Sequence, residues 1–291
     1  MRKTFALFFT LFSSVLLFAQ GKIVESLTLQ SRILGKEVKY SIYLPDNYEA
    51  AQRRYPVLYL LHGYTDDETG WTQFGEVLRI TNEAISKGDA TDMIIAMPDG
   101  GVSWYINDAA GKVRFEDFFI KEFIPFIDSA YKTRTKKQYR AVAGLSMGGY
   151  GSLIYGMKHP ELFSACAPLS AAVWNDAALM EFDAKSWTNY KFNELFGSDK
   201  EGSARLTDTW NKNSILKIAA TTPAETLNKV RYYIDCGDDD FLVKGNMELH
   251  ATLTDRKVKH EFRVRDGAHN WLYWRTALPE VLKFITESFH Q

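Results

Sequence analysis

The sequence predicts an α/β fold: a mostly parallel central sheet with helices on both faces and an irregular insertion over one edge of that sheet. Three features of the chain carry this reading. Strand-like and helix-like runs alternate to the C-terminus, the order that builds parallel sheets. Several of the strand-like runs are continuously apolar, as strands buried on both faces must be. Between about residues 171 and 228 the alternation stops.

Taken in order, strands are expected at residues 39–44, 56–61, 92–97, 139–144, 164–169, 230–235 and 260–265, and helices at 74–86, 117–130, 150–158, 243–255 and 271–289. In the second helix Phe119, Phe123 and Phe126 share a face with Ile120, Ile124 and Ile127 beside them, a broad stripe that must be buried. Pro125 lacks an N–H and is expected to kink that helix. The stretch 171–228 carries Trp174, Trp187, Tyr190, Phe192, Phe196 and Trp210 among Asn, Asp and Lys. It reads as an insertion above the C-terminal edge of the sheet, where open α/β sheets bind ligands. Trp174 is therefore a candidate for substrate contact, with ordinary packing of the insertion as the alternative.

The 291 residues are 46% hydrophobic, enough to bury one large core without disulfides or a metal, so residues 21–291 are expected to form a single domain. Lys and Arg number 35 against 36 Asp and Glu. That balance offers no basic face for nucleic acid and points to a neutral small molecule or oligosaccharide as partner. Arg2 and Lys3 precede an apolar run over residues 5–17, broken only by Thr10, Ser13 and Ser14 and ending in Ala19-Gln20-Gly21. Residues 1–20 thus read as a signal peptide cut near Ala19 or Gln20, since a membrane span needs roughly 20 apolar residues; an uncleaved anchor is the alternative, because Leu17 is unusual two positions before Ala19. A secreted or periplasmic protein follows, with no stable membrane association after cleavage. Cys166 and Cys236 both sit in apolar, strand-like runs, and neither flanks a loop that needs stapling. They are read as unpaired buried thiols, although an oxidising compartment would permit a bridge. Two cysteines and scattered histidines give no zinc-site spacing, and no cofactor or metal is expected.

Gly144-Leu145-Ser146-Met147-Gly148 matches GxSxG directly after an apolar strand and directly before a helix, the context of a nucleophile elbow in the α/β-hydrolase fold. The turn is so tight that the serine backbone is strained and the residues two positions away must lack Cβ, which Gly144 and Gly148 do. A serine hydroxyl is a weak nucleophile and needs a base held by a carboxylate, in chain order Ser, acid, His. Among the histidines that follow Ser146, His250 is mid-helix, His260 opens a strand at the opposite end, His290 is terminal, and His269 lies in the loop 266–270 that emerges at the catalytic edge. His269 is the base. The loop after the 230–235 strand carries Asp238, Asp239 and Asp240; Asp240, three residues past Gly237 and just before a helix, is the acid, with Asp239 as second choice. This acidic run lacks the ligand spacing of an EF-hand. Developing negative charge on a carbonyl oxygen needs preorganised N–H donors, assigned to the backbones of Met147 and of Tyr64 in Leu61-His62-Gly63-Tyr64. His62 is then a structural residue of that turn.

Together these pieces resemble the esterase family of α/β-hydrolases that includes feruloyl esterases, acetylxylan esterases, S-formylglutathione hydrolase and mycolyltransferases. The markers are Tyr43-Leu44-Pro45, Leu60-Leu61-His62-Gly63, Pro98-Asp99-Gly100-Gly101 with Ser103-Trp104-Tyr105, the elbow with Gly149, His159-Pro160 with Phe163, Cys236-Gly237 with Asp240-Phe241, and Gly267 with His269 and Trp271. The resemblance implies the same three residues and the same donors. It further implies that Trp104 and Tyr105 wall the site, with core packing at a loop base as the alternative. One departure is Ala268, where relatives often carry a second glycine before the histidine.

The expectation is a secreted serine esterase that frees acetyl or feruloyl groups from plant polysaccharide fragments. A broad short-chain or siderophore-type esterase, and an acyltransferase using the same residues, are the enzymatic alternatives. A binding protein on a decayed scaffold is the non-enzymatic one, and the complete set of site residues speaks against it.

Overall fold

The computed structural model describes residues 20–290; the expected signal peptide, except for Gln20, lies outside them. One eight-stranded sheet organises the chain, in the spatial order β1 (Lys22–Gln30), β2 (Glu37–Leu44), β4 (Ile94–Pro98), β3 (Val57–Leu61), β5 (Arg140–Leu145), β6 (Ala165–Leu169), β7 (Arg231–Gly237) and β8 (His260–Arg265). β2 runs antiparallel to both of its neighbours, and every other pairing is parallel. All seven expected strands are present with small shifts at their ends. Every residue of β3, β4, β5 and β6 is buried. The helices Val77–Lys87 and Trp271–Phe289 cover one face, and Ile124–Ala130, Met147–Lys158 and Val243–Asp255 cover the other. Among the described residues no helix is long and apolar enough to cross a membrane.

β1 was not among the expected strands, and a bulge explains why. Pairing slips between Val24 and Leu27, with Ser26 at φ 53°, so apolar residues fall out of the two-residue period. The helix expected from residue 74 begins at Val77, because Glu76 takes φ 53° and interrupts it after the short helix Gly70–Gln73. In place of a kinked helix over 117–130 there are three segments. Phe115–Phe118 is α-helical, Phe119–Phe123 forms a π-turn, and Ile124–Ala130 resumes the α-helix. The wider turn sits just before Pro125, where the missing N–H leaves the regular ladder incomplete.

The expected irregular insertion is corrected. Residues 171–228 fold into the short helices Asp176–Glu181, Ala184–Asn189, Phe192–Phe196, Asp208–Asn213, Ile215–Thr221 and Ala224–Leu227. None is long enough for a 3.6-residue period to show in the sequence. Side-chain caps start three of them: Asn175 accepts from the Ala178 N–H, Asp183 from Ser186 and Thr207 from Trp210. Arg205 is fully buried, donates to the carbonyls of Met180 and Phe182, and stacks on Trp187. Both cysteines are unpaired and buried.

Candidate active site

β5 ends at Leu145 and a helix begins at Met147, leaving Ser146 between them at φ 54° and ψ −115°. Such a conformation costs a non-glycine residue on the order of 1–3 kcal/mol and persists only where neighbours fix it. The Ser146 N–H donates to the Leu169 carbonyl at 2.9 Å, and the Ser146 carbonyl accepts from the Ala172 N–H at 3.1 Å. The need for glycine on either side is visible in the geometry. A Cβ on Gly144 would lie 2.5 Å from the Gly148 carbonyl oxygen, and one on Gly148 would lie 2.5 Å from that of Leu61.

The loops after β7 and β8 clasp each other beside this serine. The Asp238 N–H donates to the Arg265 carbonyl, the Asp239 N–H to the Gly267 carbonyl, and the Gly267 N–H to the Asp238 carboxylate. A Cβ on Gly237 would meet the Gly267 carbonyl at 2.1 Å, so only glycine lets the loops approach this closely. The clasp brings Ser146, His269 and Asp240 into one hydrogen-bonded chain. Ser146 Oγ–H donates to His269 Nε2 at 2.9 Å, and His269 Nδ1–H donates to Asp240 Oδ2 at 2.8 Å. The other oxygen, Asp240 Oδ1, accepts from the Leu242 N–H at 2.8 Å. Burial alone would push the Asp240 carboxyl up. The hydrogen bonds from His269 and Leu242, the charge of His269 and the Ser170 hydroxyl outweigh that and hold it below the usual carboxylate range. Asp238 and Asp239 remain exposed.

Met147 opens its helix, where the first N–H groups have no intrahelical acceptor. Facing it, Gly63 abuts Ser146: a Cβ on Gly63 would sit 3.7 Å from the serine Cβ. Tyr64 follows and is tied to the insertion by its hydroxyl, which donates to the Asn189 carbonyl at 2.6 Å. His62 is buried, with Nδ1–H donating to the Gly63 carbonyl at 2.7 Å and Nε2 accepting from the Gly100 N–H at 2.8 Å. Burial lowers its pKa against the opposing pull of the Gly63 carbonyl and Asp99. It is thus a fixture of the turn, as expected.

A cavity of about 320 Å³ opens over Ser146 and His269. Trp104, Trp174 and Tyr190 form one aromatic wall, Trp104 lying 5.4 Å from Trp174 and 5.9 Å from Tyr190 between ring centroids. The Trp104 indole N–H donates to the Tyr190 carbonyl. The expectation for Tyr105 is corrected. Trp104 and Tyr105 both take left-handed backbone, and only the first faces the cavity. Tyr105 is fully buried beneath it, its hydroxyl donating to the His62 carbonyl at 3.0 Å and its ring filling the space beside Gly100 and Gly151.

The sequence did not assign Asp66, Tyr190, Phe241, Trp271 or Trp274 to the site, yet all line the cavity. Four of them follow closely on an assigned residue in sequence, and Tyr190 lies in the aromatic insertion. Burial and then the neighbouring Asp67 push the Asp66 carboxyl up to about 6. Phe241 packs 4.6 Å from the His269 ring on one side, and Trp274 meets it edge to face at 4.9 Å on another. His250 and His260 bond each other on the helix Val243–Asp255 and β8, and neither lines this cavity.

A mostly parallel sheet with helices on both faces, and a strained serine between an inner strand and a helix N-terminus, define an α/β-hydrolase. Its family follows from comparison with known proteins: the family model described as "Putative esterase" matches residues 31–285, and the chain belongs to that family. It is a carboxylic ester hydrolase. The chain is 33% identical to a ferulic acid esterase of solved structure, with a TM-score of 0.79, covering 93% of this chain and 99% of that one. It is 27% identical over 241 residues to an acetyl esterase of Caldicellulosiruptor saccharolyticus, covering 79% of this chain and 83% of the relative. It is 29% identical over 261 residues to Esterase Rv1288 of Mycobacterium tuberculosis, covering 82% of this chain but only 54% of that longer protein.

Proposed function

We propose that this chain is a secreted serine esterase that removes acetyl or feruloyl groups from plant polysaccharide fragments through an acyl-enzyme on Ser146. The observation that carries the reading is the hydrogen-bonded chain from Ser146 through His269 to Asp240 at the floor of an aromatic cavity. In the first half-reaction His269 Nε2 takes the Ser146 proton as Oγ attacks the ester carbonyl, and then returns it to the leaving alcohol. Asp240 keeps the imidazole in the tautomer that presents a free Nε2 and stabilises the imidazolium that forms. The N–H groups of Met147 and Tyr64 receive the developing oxyanion. Water then gives its proton to the same imidazole as its oxygen attacks the acyl carbon, and the imidazolium returns that proton to Ser146 Oγ as the acyl–Oγ bond breaks and the acid leaves. The wall of Trp104, Trp174 and Tyr190 suits an aromatic acyl group, and two relatives are named as acetyl and ferulic acid esterases. Secretion rests on the leader pattern of residues 1–20.

Kinetics on methyl ferulate, acetylated xylan fragments and p-nitrophenyl butyrate, for wild type and Ser146→Ala, test this. Loss of the nucleophile is expected to cost on the order of a million-fold in kcat. Wild-type rates in Ser146→Ala would end the mechanism, and a preference for p-nitrophenyl butyrate would replace the polysaccharide substrate by simple short-chain esters. Acylated sugar forming faster than free acid in excess acceptor would make the enzyme an acyltransferase. N-terminal sequencing of the exported protein checks cleavage near residue 20.

A further inference from the structure

Ser170 follows β6, is fully buried, and holds a left-handed backbone at φ 45°. Its N–H donates to the Asp235 carbonyl at 2.7 Å, and its Oγ accepts the Trp274 indole N–H at 3.1 Å. Trp274 belongs to the helix Trp271–Phe289, lines the cavity, and sets its ring nearly perpendicular to that of His269. An indole N–H can only donate, so the single Ser170 proton is left for another acceptor. The side chains beside the hydroxyl are the Asp240 carboxylate and the Cys236 thiol. Burial first, and then Asp240 itself, push the thiol far above its ordinary range, so it stays neutral and the carboxylate is the stronger acceptor.

We propose that Ser170 and Trp274 are positioning residues of the esterase reaction: Ser170 donates a third hydrogen bond to the Asp240 carboxylate, and Trp274 aims that hydroxyl while its ring holds the His269 imidazole. The proposal rests on Ser146, His269 and Asp240 acting as nucleophile, base and acid. In that mechanism Asp240 must remain ionised as positive charge develops on His269, and each donor to the carboxylate favours the ionised form. The strained backbone agrees with a role for the side chain. Glycine would occupy φ 45° at no steric cost, so the serine retains a hydroxyl at the expense of strain.

That strain also separates a positioning role from a packing role. Ser170→Gly removes the hydroxyl and relieves the backbone, and the strain released offsets the cost of leaving the buried Trp274 N–H unpaired, so its thermal midpoint is expected near that of wild type. A hydrogen bond to a charged group corresponds to roughly ten- to hundredfold in rate, so kcat should fall by at least about tenfold with KM little changed. Asp240, having lost a donor, would protonate more easily, and the acid limb of the kcat/KM profile would move to higher pH. Trp274→Phe keeps a ring against His269 but loses the N–H. It should lower kcat less and in the same direction, and the double variant should be little worse than Ser170→Gly because both act through one hydrogen bond. Wild-type kcat with an unmoved acid limb in Ser170→Gly would overturn the proposal, as would effects of the two substitutions that simply add. Asp240→Asn keeps the outcomes apart. If it is inactive while Ser170→Gly is fully active, only the positioning role fails; if it is fully active, the assignment of the acid fails.

Discussion

Replacing Gly148 by alanine should disable the enzyme without touching any reacting group. The new Cβ would lie 2.5 Å from the Leu61 carbonyl oxygen and 2.6 Å from that of His62, and both are backbone atoms with no rotamer to escape into. Ordinary contact begins near 3.4 Å, so the end of β3 and its turn must retreat from the helix by about 1 Å. The same turn carries Gly63 and Tyr64, which line the cavity beside Ser146. A misplacement of about 1 Å at catalytic groups costs on the order of 10²-fold, and loss of one oxyanion donor about 10²–10³-fold in kcat. Overpacking adds about 1–3 kcal/mol of destabilisation. Kinetics on p-nitrophenyl acetate together with calorimetry would read both effects. Gly88→Ala is the control. Gly88 caps the helix Val77–Lys87 at φ 78° in open space, so alanine there should cost about 1 kcal/mol through strain alone and leave kcat unchanged. Wild-type kcat and stability in Gly148→Ala would refute the claim that this glycine is required by the approach of the turn.

Three further outcomes are expected. Asp240→Asn should lower kcat by about 10⁴-fold at an almost unchanged fold, because the asparagine amide would favour the wrong imidazole tautomer; circular dichroism and steady-state kinetics check it. The Asp66 carboxyl titrates at about 6 in the folded chain against about 3.9 unfolded, so the unfolded state loses its proton first and stability falls as pH rises from about 4 to 6. Asp66→Asn should therefore raise the melting temperature at pH 7 and leave it unchanged at pH 4, and equal shifts at both would contradict this. Burial, followed by the neighbouring His260, depresses the His250 pKa, so the unfolded chain takes up the proton first and stability is lost as pH falls below about 6.5. His250→Gln should flatten that part of the melting-temperature profile, and an unchanged acid slope would show that other groups produce it.

Seven of the eight strands and the three residues of the proposed Ser-His-Asp relay were legible in the sequence. A nucleophile elbow is a local steric demand, written as glycines two positions either side of a serine that sits between an apolar strand and a helix. The order of strands then placed Asp240 and His269 in loops at the same edge. These features could be read because each depends on neighbours within a few residues. Tertiary structure decided the rest. Nothing in Trp104-Tyr105 says which ring faces the cavity; Gly100 and Gly151, the latter 46 residues further along the chain, open the space that takes Tyr105. The helices of 171–228 are too short to show a period, and Arg205 and Trp187 meet only once the chain has folded. Ser170 and Trp274, 104 residues apart, become partners only where β6 and the last helix pack. Hydrogen bonds and packing between distant segments leave no local pattern in the residues that make them, and the support around the site is built from such contacts.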